Sequence, residues 1–295
     1  MKTMNLIGKW NGLSKLVVII LVVGLASCSE DTEQFMSQDL VEETTLFEDE
    51  QDVDEALQGE TDVFDAINLA QVPQNGKVSE DQPADSAYVC ADITHDKSNQ
   101  TIVIDFGDGC VGLDGVLRSG KVIITYTDHY LIPGAVLTKT FEDYFVNGKQ
   151  VEGFFTLTNT AANLSAFPEF NIVLEGGQIT WEDQTIATRE SNFDLTWINS
   201  ANPLSDEFHK EGAASGMRSG VEYNMTIQST LIRKNICKLD GVFIPVQGVK
   251  LIERVGLPTL TIDYGDGSCD SRVVITREDG ASRTIENFRR LRRRR

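Results

Sequence analysis

Val221-Glu222-Tyr223-Asn224-Met225-Thr226-Ile227 places an apolar side chain at every second position and a polar one between. Successive side chains of a strand point to opposite faces, so Val221, Tyr223, Met225 and Ile227 share one side while Glu222, Asn224 and Thr226 face the other. The same alternation recurs in Val122, Ile124 and Tyr126, and in Val151, Gly153, Phe155 and Leu157. One-sided patterning of this kind belongs to antiparallel sheets with one face on a core and one in water. Asn147-Gly148, Asp240-Gly241 and Asp279-Gly280 each stand between strand-like runs, where both residues can take the positive φ of a type I′ hairpin turn. From Tyr88 to Ile285 the chain therefore predicts an all-β fold, an antiparallel meander of hairpins without βαβ units.

An internal echo divides this β-rich body, residues 88–287, into two related halves of about 88–180 and 181–287. Thr101-Ile102-Val103-Ile104-Asp105-Phe106-Gly107-Asp108-Gly109-Cys110 returns as Thr259-Leu260-Thr261-Ile262-Asp263-Tyr264-Gly265-Asp266-Gly267-Ser268-Cys269, and Arg118-Ser119-Gly120 returns as Arg218-Ser219-Gly220. Each half carries a second cysteine upstream of its turn cysteine. Four cysteines allow three pairings, and the parallel layout selects Cys90 with Cys110 and Cys237 with Cys269. No pair has the close spacing of a zinc site, and His95, His129 and His209 are scattered. The Gly-rich turns offer Asp105, Asp108, Asp263, Asp266 and Asp270 as calcium candidates, since carboxylate oxygens suit that ion. The alternative is that these aspartates bond their own turn backbone. No other cofactor is indicated.

Ahead of the body, Lys2, Lys9 and Lys15 precede the apolar run Leu16-Val17-Val18-Ile19-Ile20-Leu21-Val22-Val23, the layout of a signal peptide over residues 1–27. Leu25-Ala26-Ser27-Cys28 resembles the lipobox of bacterial lipoproteins, which implies cleavage before Cys28 and a diacylglyceryl group on its sulfur. Residues 28–87 read as an acidic tether. No Lys or Arg occurs between Lys15 and Lys77, and most of the net charge of −19 lies there, so mutual repulsion favours an extended, solvated chain. The acidic residues behind Cys28 resemble the export signal of surface-displayed Bacteroidota lipoproteins, which implies an outer-membrane protein exposed at the cell surface; the alternative faces the periplasm. Val53, Ala56, Leu57, Val63, Phe64 and Ile67 recur at three- and four-residue steps, predicting one short amphipathic helix over residues 53–69 whose apolar stripe could dock on the body. Asp85-Ser86-Ala87 resembles an O-glycosylation acceptor of the same bacteria.

Chemistry is sparsely marked. The chain has no Gly-x-Ser-x-Gly elbow, His-Glu-x-x-His or phosphate loop. Glu142 with Asp143 and Glu182 with Asp183 are neighbours on the chain, so on a strand their carboxylates face opposite sides and cannot converge on one bond. Trp181, Trp197 and Phe193 could line a sugar-binding face, though Trp181 and Trp197 suit the core better, where aromatics contribute large apolar area. At the other end, residues 288–295 concentrate Arg289, Arg290, Arg292, Arg293, Arg294 and Arg295. Guanidinium groups pair with phosphates, so lipopolysaccharide or an acidic glycan could be bound there; nucleic acid does not suit an exported acidic protein.

The turn words Asp-Phe-Gly-Asp-Gly resemble those of polycystic-kidney-disease-type immunoglobulin-like domains, but the tryptophan usual before the first Asp is missing. The paired cysteine-bearing strands behind a lipobox resemble a group of β-rich Bacteroidota lipoproteins that brings no activity with it. The expected function is a lipid-anchored, non-enzymatic binding or structural module contacting a glycan or surface protein. The competing expectation is a secreted hydrolase acting on glycans through carboxylates that converge only in the fold.

Overall fold

A computed structural model of the protein describes residues 50, 51, 53, 54, 57, 90–112 and 115–286. The strands are β1 (Asp92–Asp96), β2 (Thr101–Asp105), β3 (Cys110–Val111), β4 (Leu117–Tyr126), β5 (Val136–Val146), β6 (Lys149–Asn159) and β7 (Glu169–Thr180), then β8 (Ile186–Ile198), β9 (Glu207–Arg218), β10 (Val221–Lys234), β11 (Gln247–Arg254), β12 (Leu257–Asp266), β13 (Val273–Arg277) and β14 (Ser282–Ile285). All belong to one antiparallel sheet in chain order from β1 to β14, with the two-residue β3 pairing β4 beside the path. The expected meander is what forms. The two sequence halves are not separate sheets, because β7 and β8 pair from Glu169↔Thr196 to Thr180↔Ile186 across the boundary between them.

Alternation sets the faces. Tyr223 and Met225 of β10 are buried while Glu222, Asn224 and Thr226 are exposed. Ile102 and Ile104, Val122 and Ile124, Leu195, Ile262, and Val273 and Ile275 continue the buried side from the first strands to the last, in one core. A sheet of this many strands coils because each strand is rotated against the next. Bulges in the pairings of β4 to β5, β6 to β7, β7 to β8 and β9 to β10 add local bends.

The turns obey chemistry more varied than the dipeptides suggested. Asn147 and Gly148 both have positive φ, 49° and 78°, and join β5 to β6 as expected of a type I′ turn. Ser219 and Gly220, at 47° and 79°, make the same turn between β9 and β10. Asp240-Gly241 does not form a hairpin turn; Gly241 caps a 3-10 helix over Asn235–Asp240 through backbone bonds to Cys237 and Lys238. Between β13 and β14 only Gly280 is left-handed, and the Asp279 carboxylate accepts from the Ala281 N–H instead. Arg118-Ser119-Gly120 and Arg218-Ser219-Gly220 are likewise not equivalent: the first is a bulged stretch within β4, the second a hairpin turn.

Both expected disulfides are present, Cys90–Cys110 and Cys237–Cys269. The first ties the segment entering β1 to β3. The second joins the 3-10 helix to the loop after β12, around a small satellite cluster with Val242 and Val246.

Candidate functional site

The inner face of the sheet holds an unusual set of charges for a chain of net charge −19. Among the described residues, the buried charged side chains on the strands are Arg118, Lys139, Arg189 and Lys250, all cations. Arg189 stands on β8 between inward Ala187 and Phe193, opposite the bulge that β7 makes between Leu174 and Gly177, and Lys250 stands on β11 between inward Gly248 and Ile252. Alternation alone aims both inward, because each occupies a position of its strand that is otherwise apolar or glycine. Lys139 does the same on β5, with its ammonium 4.4 Å from the centroid of the Phe155 ring.

The partners of Arg189 and Lys250 come from the acidic segment. Glu50, Gln51, Val53, Asp54 and Leu57 are helical and buried, and Val53 and Leu57 join the main core. Residues three and four apart on a helix share a face, so Glu50 and Asp54 point together at the cations while Val53 and Leu57 meet apolar side chains. The Arg189 Nη2 donates to both oxygens of Glu50 at 2.6 Å, and its Nη1 donates to Asp54 Oδ1 at 2.6 Å. Lys250 Nζ donates to Asp54 Oδ2 and lies 3.8 Å from Glu50. Arg218 adds a longer contact to Glu50 at 3.9 Å. Two tyrosines complete the cluster: Arg189 Nε donates to the Tyr223 hydroxyl at 3.1 Å, and Gln51 Nε2 donates to the Tyr264 hydroxyl at 3.0 Å.

Electrostatics lock Asp54, Arg189 and Lys250 in their charged forms. Burial alone would raise the Asp54 carboxyl, but Lys250 and Arg189 overcome it and hold the group down at about 2. Burial acts in the opposite sense on the two cations, and the acids again win, raising Lys250 and Arg189 above their ordinary values. Burial pushes the Tyr264 hydroxyl up to about 12 and raises Tyr223 as well, so both stay neutral donors and acceptors. Beside Asp54 and Lys250 lies a cavity of about 40 Å³ with Lys210 and apolar Phe193, Leu195 and Met225 in its wall.

Two acids assigned by composition to a solvated tether are thus buried: Glu50 is 2 % exposed and Asp54 7 %. Mutual repulsion favours extension only until opposite charges are met, and the inner sheet supplies them. Glu50 and Gln51 are already helical, ahead of the expected start at Val53; of residues 53–69 only Val53, Asp54 and Leu57 are described, and the rest of the expected helix lies outside the described residues. Cys28 and Arg289, Arg290, Arg292, Arg293, Arg294 and Arg295 lie outside them too.

The calcium candidates are dispersed along turns. Asp105 accepts from the Gly107 N–H, Asp263 from Gly265, Asp266 from Ser268 and Asp270 from Arg272, each over two residues. Asp108 sits exposed in the turn after β2. Among the described residues no group of three or more His, Cys, Asp or Glu side chains gathers as a metal site. Glu142 reaches Lys121 at 3.8 Å on the surface, and Glu182 and Asp183 are exposed in the turn after β7. Trp197 is half-buried, donating from Nε1 to Asp206 at 2.9 Å and stacking on Phe208; Trp181 packs at the core edge; Phe193 is buried. His95, bonded to the Tyr126 hydroxyl, and His209, beside Glu207, stand on separate strands.

Sequence reading missed Arg189 and Lys250. The signal was present: a lone cation at an inward position of an alternating strand. No protein family, curated protein or solved structure matches this chain.

Proposed function

We propose that this protein is a lipid-anchored envelope module that binds or structures its surroundings and does not catalyse. The observation that carries the reading is the state of its buried carboxylates. Among the described residues these are Glu50, Asp54 and Asp206. Glu50 and Asp54 are held by Arg189 and Lys250, and Asp206 accepts from Trp197 and the Ser200 N–H. A general acid or base must exchange a proton near working pH; a carboxyl held at about 2 by two cations is a poor candidate.

The anchoring part of the proposal rests on Cys28 behind Leu25-Ala26-Ser27, and two disulfides agree with an exported body, since such bridges persist in oxidising compartments. Mass spectrometry of the mature protein should find an acylated Cys28 at the N-terminus, and protease shaving of intact cells should release peptides from residues 90–286. Replacing Cys28 by Ser should move the protein out of the membrane fraction; continued full membrane association would end the anchoring proposal. Turnover of a glycan by the purified protein, abolished by substituting an acidic side chain, would overturn the non-catalytic reading.

A further inference from the structure

We propose that one rim of the sheet, formed by the loops after β4, β6, β8 and β10, is a docking surface for an anionic phospholipid bilayer, into which its exposed apolar side chains dip. The inference rests on reading the chain as a lipid-anchored envelope module and says which end of the body meets the lipid.

Consecutive strands of the meander run in opposite directions, so their connections fall alternately at two ends. The loops after β1, β4, β6, β8, β10 and β12 share one end. The path from β2 to β4 and the turns after β5, β7, β9, β11 and β13 share the other. At the first end the large exposed apolar side chains all stand on loops: Ile132 after β4, Leu164 and Phe167 after β6, Leu204 after β8, and Ile236 and Leu239 after β10. Leu164 and Leu239 are 72 % and 68 % exposed. At the second end Val111, Leu117, Ile186, Met217 and Leu257 lie on strands, and Val255 alone stands on a turn.

Each loop of the first end is fastened to the next. Asn159 Nδ2 donates to the Tyr130 carbonyl at 2.8 Å, joining the loop after β4 to the end of β6. The Trp197 N–H donates to the Pro168 carbonyl at 2.9 Å, and Asn235 Nδ2 donates to the Pro203 carbonyl at 3.0 Å. Cys237–Cys269 then ties the 3-10 helix to the loop after β12. The apolar tips are therefore held toward solvent on a fixed frame, an exposure that is unfavourable in water and is relieved by entry into lipid.

Charge separates the two ends. With buried Asp206 set aside, the loops of the first end carry Asp128, Asp240 and Asp270 against Lys97, Lys238 and Arg272, and so balance. The opposite turns expose Asp108, Glu182, Asp183, Glu278 and Asp279, with no Lys or Arg among their described residues. Of the two, the first end meets an anionic surface without repulsion. Strand β14 also finishes there, since Ile285 pairs with Val273, and the sequence beyond Glu286 holds the six arginines of 289–295, whose guanidinium groups suit lipid phosphates. The stretch from Cys28 to Glu50 can span at most about 75 Å. The 14 residues of β10 cover about 45 Å, so an anchor at Cys28 lets either end reach the lipid and the loops decide which does.

The test reconstitutes the full chain with vesicles of phosphatidylglycerol and phosphatidylcholine that include a phospholipid carrying a diazirine on its acyl chain. After irradiation, mass spectrometry should find lipid adducts in the loops 160–168, 199–206 and 235–246 and none in the turns 181–185, 255–256 and 278–281. The surface pair Leu164→Asp/Leu239→Asp should lower loop labelling about ten-fold or more, while Val255→Asp leaves it unchanged. Vesicles of phosphatidylcholine alone should lower it to a similar extent. Unlabelled loops, equal labelling of the two ends, or labelling undiminished by the paired substitution or by removal of the anionic lipid would each overturn the proposal. The peptide containing Cys28, read in the same digest, keeps the two readings apart: an acylated Cys28 with unlabelled loops sinks this inference alone, and labelled loops beside an unmodified Cys28 sink the anchor alone. The comparison of the two ends needs no variant, so misfolding of a substituted chain cannot shelter the idea.

Discussion

Asp54 carries the clearest consequence at the scale of single residues. Its carboxyl falls from an ordinary 3.8 to about 2 in the fold, so it binds a proton more readily when unfolded. Its contribution to stability is complete above pH 3.8 and disappears as the pH drops through about 2. The shift corresponds to about 2 kcal/mol. Lys250 works with the opposite sign: its folded value is raised, so its contribution is complete below 10.5 and fades only as the pH climbs beyond that. Asp54 and Lys250 therefore stay charged and paired across the neutral range. Asp54→Asn removes the carboxylate that Lys250 bonds directly, leaving it only the longer contact to Glu50, and should lower unfolding free energy in urea by roughly 3–5 kcal/mol at pH 7. The two chains should draw together as the pH falls through about 2 and converge below it, where the wild-type acid is itself protonated. A constant difference down to that pH would show that the loss is not electrostatic. From sequence, Glu50 and Asp54 were two acids among many; their special status depends on what faces them, and composition carries no information about that.

Elements are where periodicity was most informative and turns least. Strands β4, β6 and β10 bury the very side their alternation marked, because the two-residue repeat of a strand is local geometry. Asn147-Gly148 turns as its dipeptide demands, yet Asp240-Gly241 ends a 3-10 helix, since one left-handed glycine serves a helix cap as readily as a hairpin. Close approach of strands left a different mark. Gly216 on β9 lies against β8, where an added Cβ would collide with the Thr188 carbonyl oxygen and come within 3.2 Å of the Arg189 Cα. Gly216→Ala should force β8 and β9 apart and cost about 1–3 kcal/mol by chemical denaturation. Ala213→Ser, on the exposed side of the same strand, should stay within about 0.5 kcal/mol of wild type. Equal stability of the two variants would refute the close approach at Gly216.

Across the whole molecule, two disulfides bracket a sheet whose pairings otherwise link chain neighbours. Cys90–Cys110 closes a separation of 20 residues and Cys237–Cys269 one of 32. Replacing either pair by alanine should cost about 2–4 kcal/mol in guanidinium unfolding, with the second pair costing at least as much because it closes the longer loop. A negligible loss for both would mean that the sheet alone supplies the stability. The class, the strand order and both cysteine pairings were open to reading because alternation, hairpin spacing and the repeated cysteine layout are all short-range or parallel features of the chain. What no stretch of sequence contained was the meeting of Glu50 and Asp54 with Arg189, 139 and 135 residues away, and with Lys250, 196 residues from Asp54. Charge acts through space, and only the coiling of the sheet and the docking of the helix decide which charges share a low-dielectric interior. Glu50 and Asp54, read by composition as part of a spacer, are in the folded chain the counterions of its core.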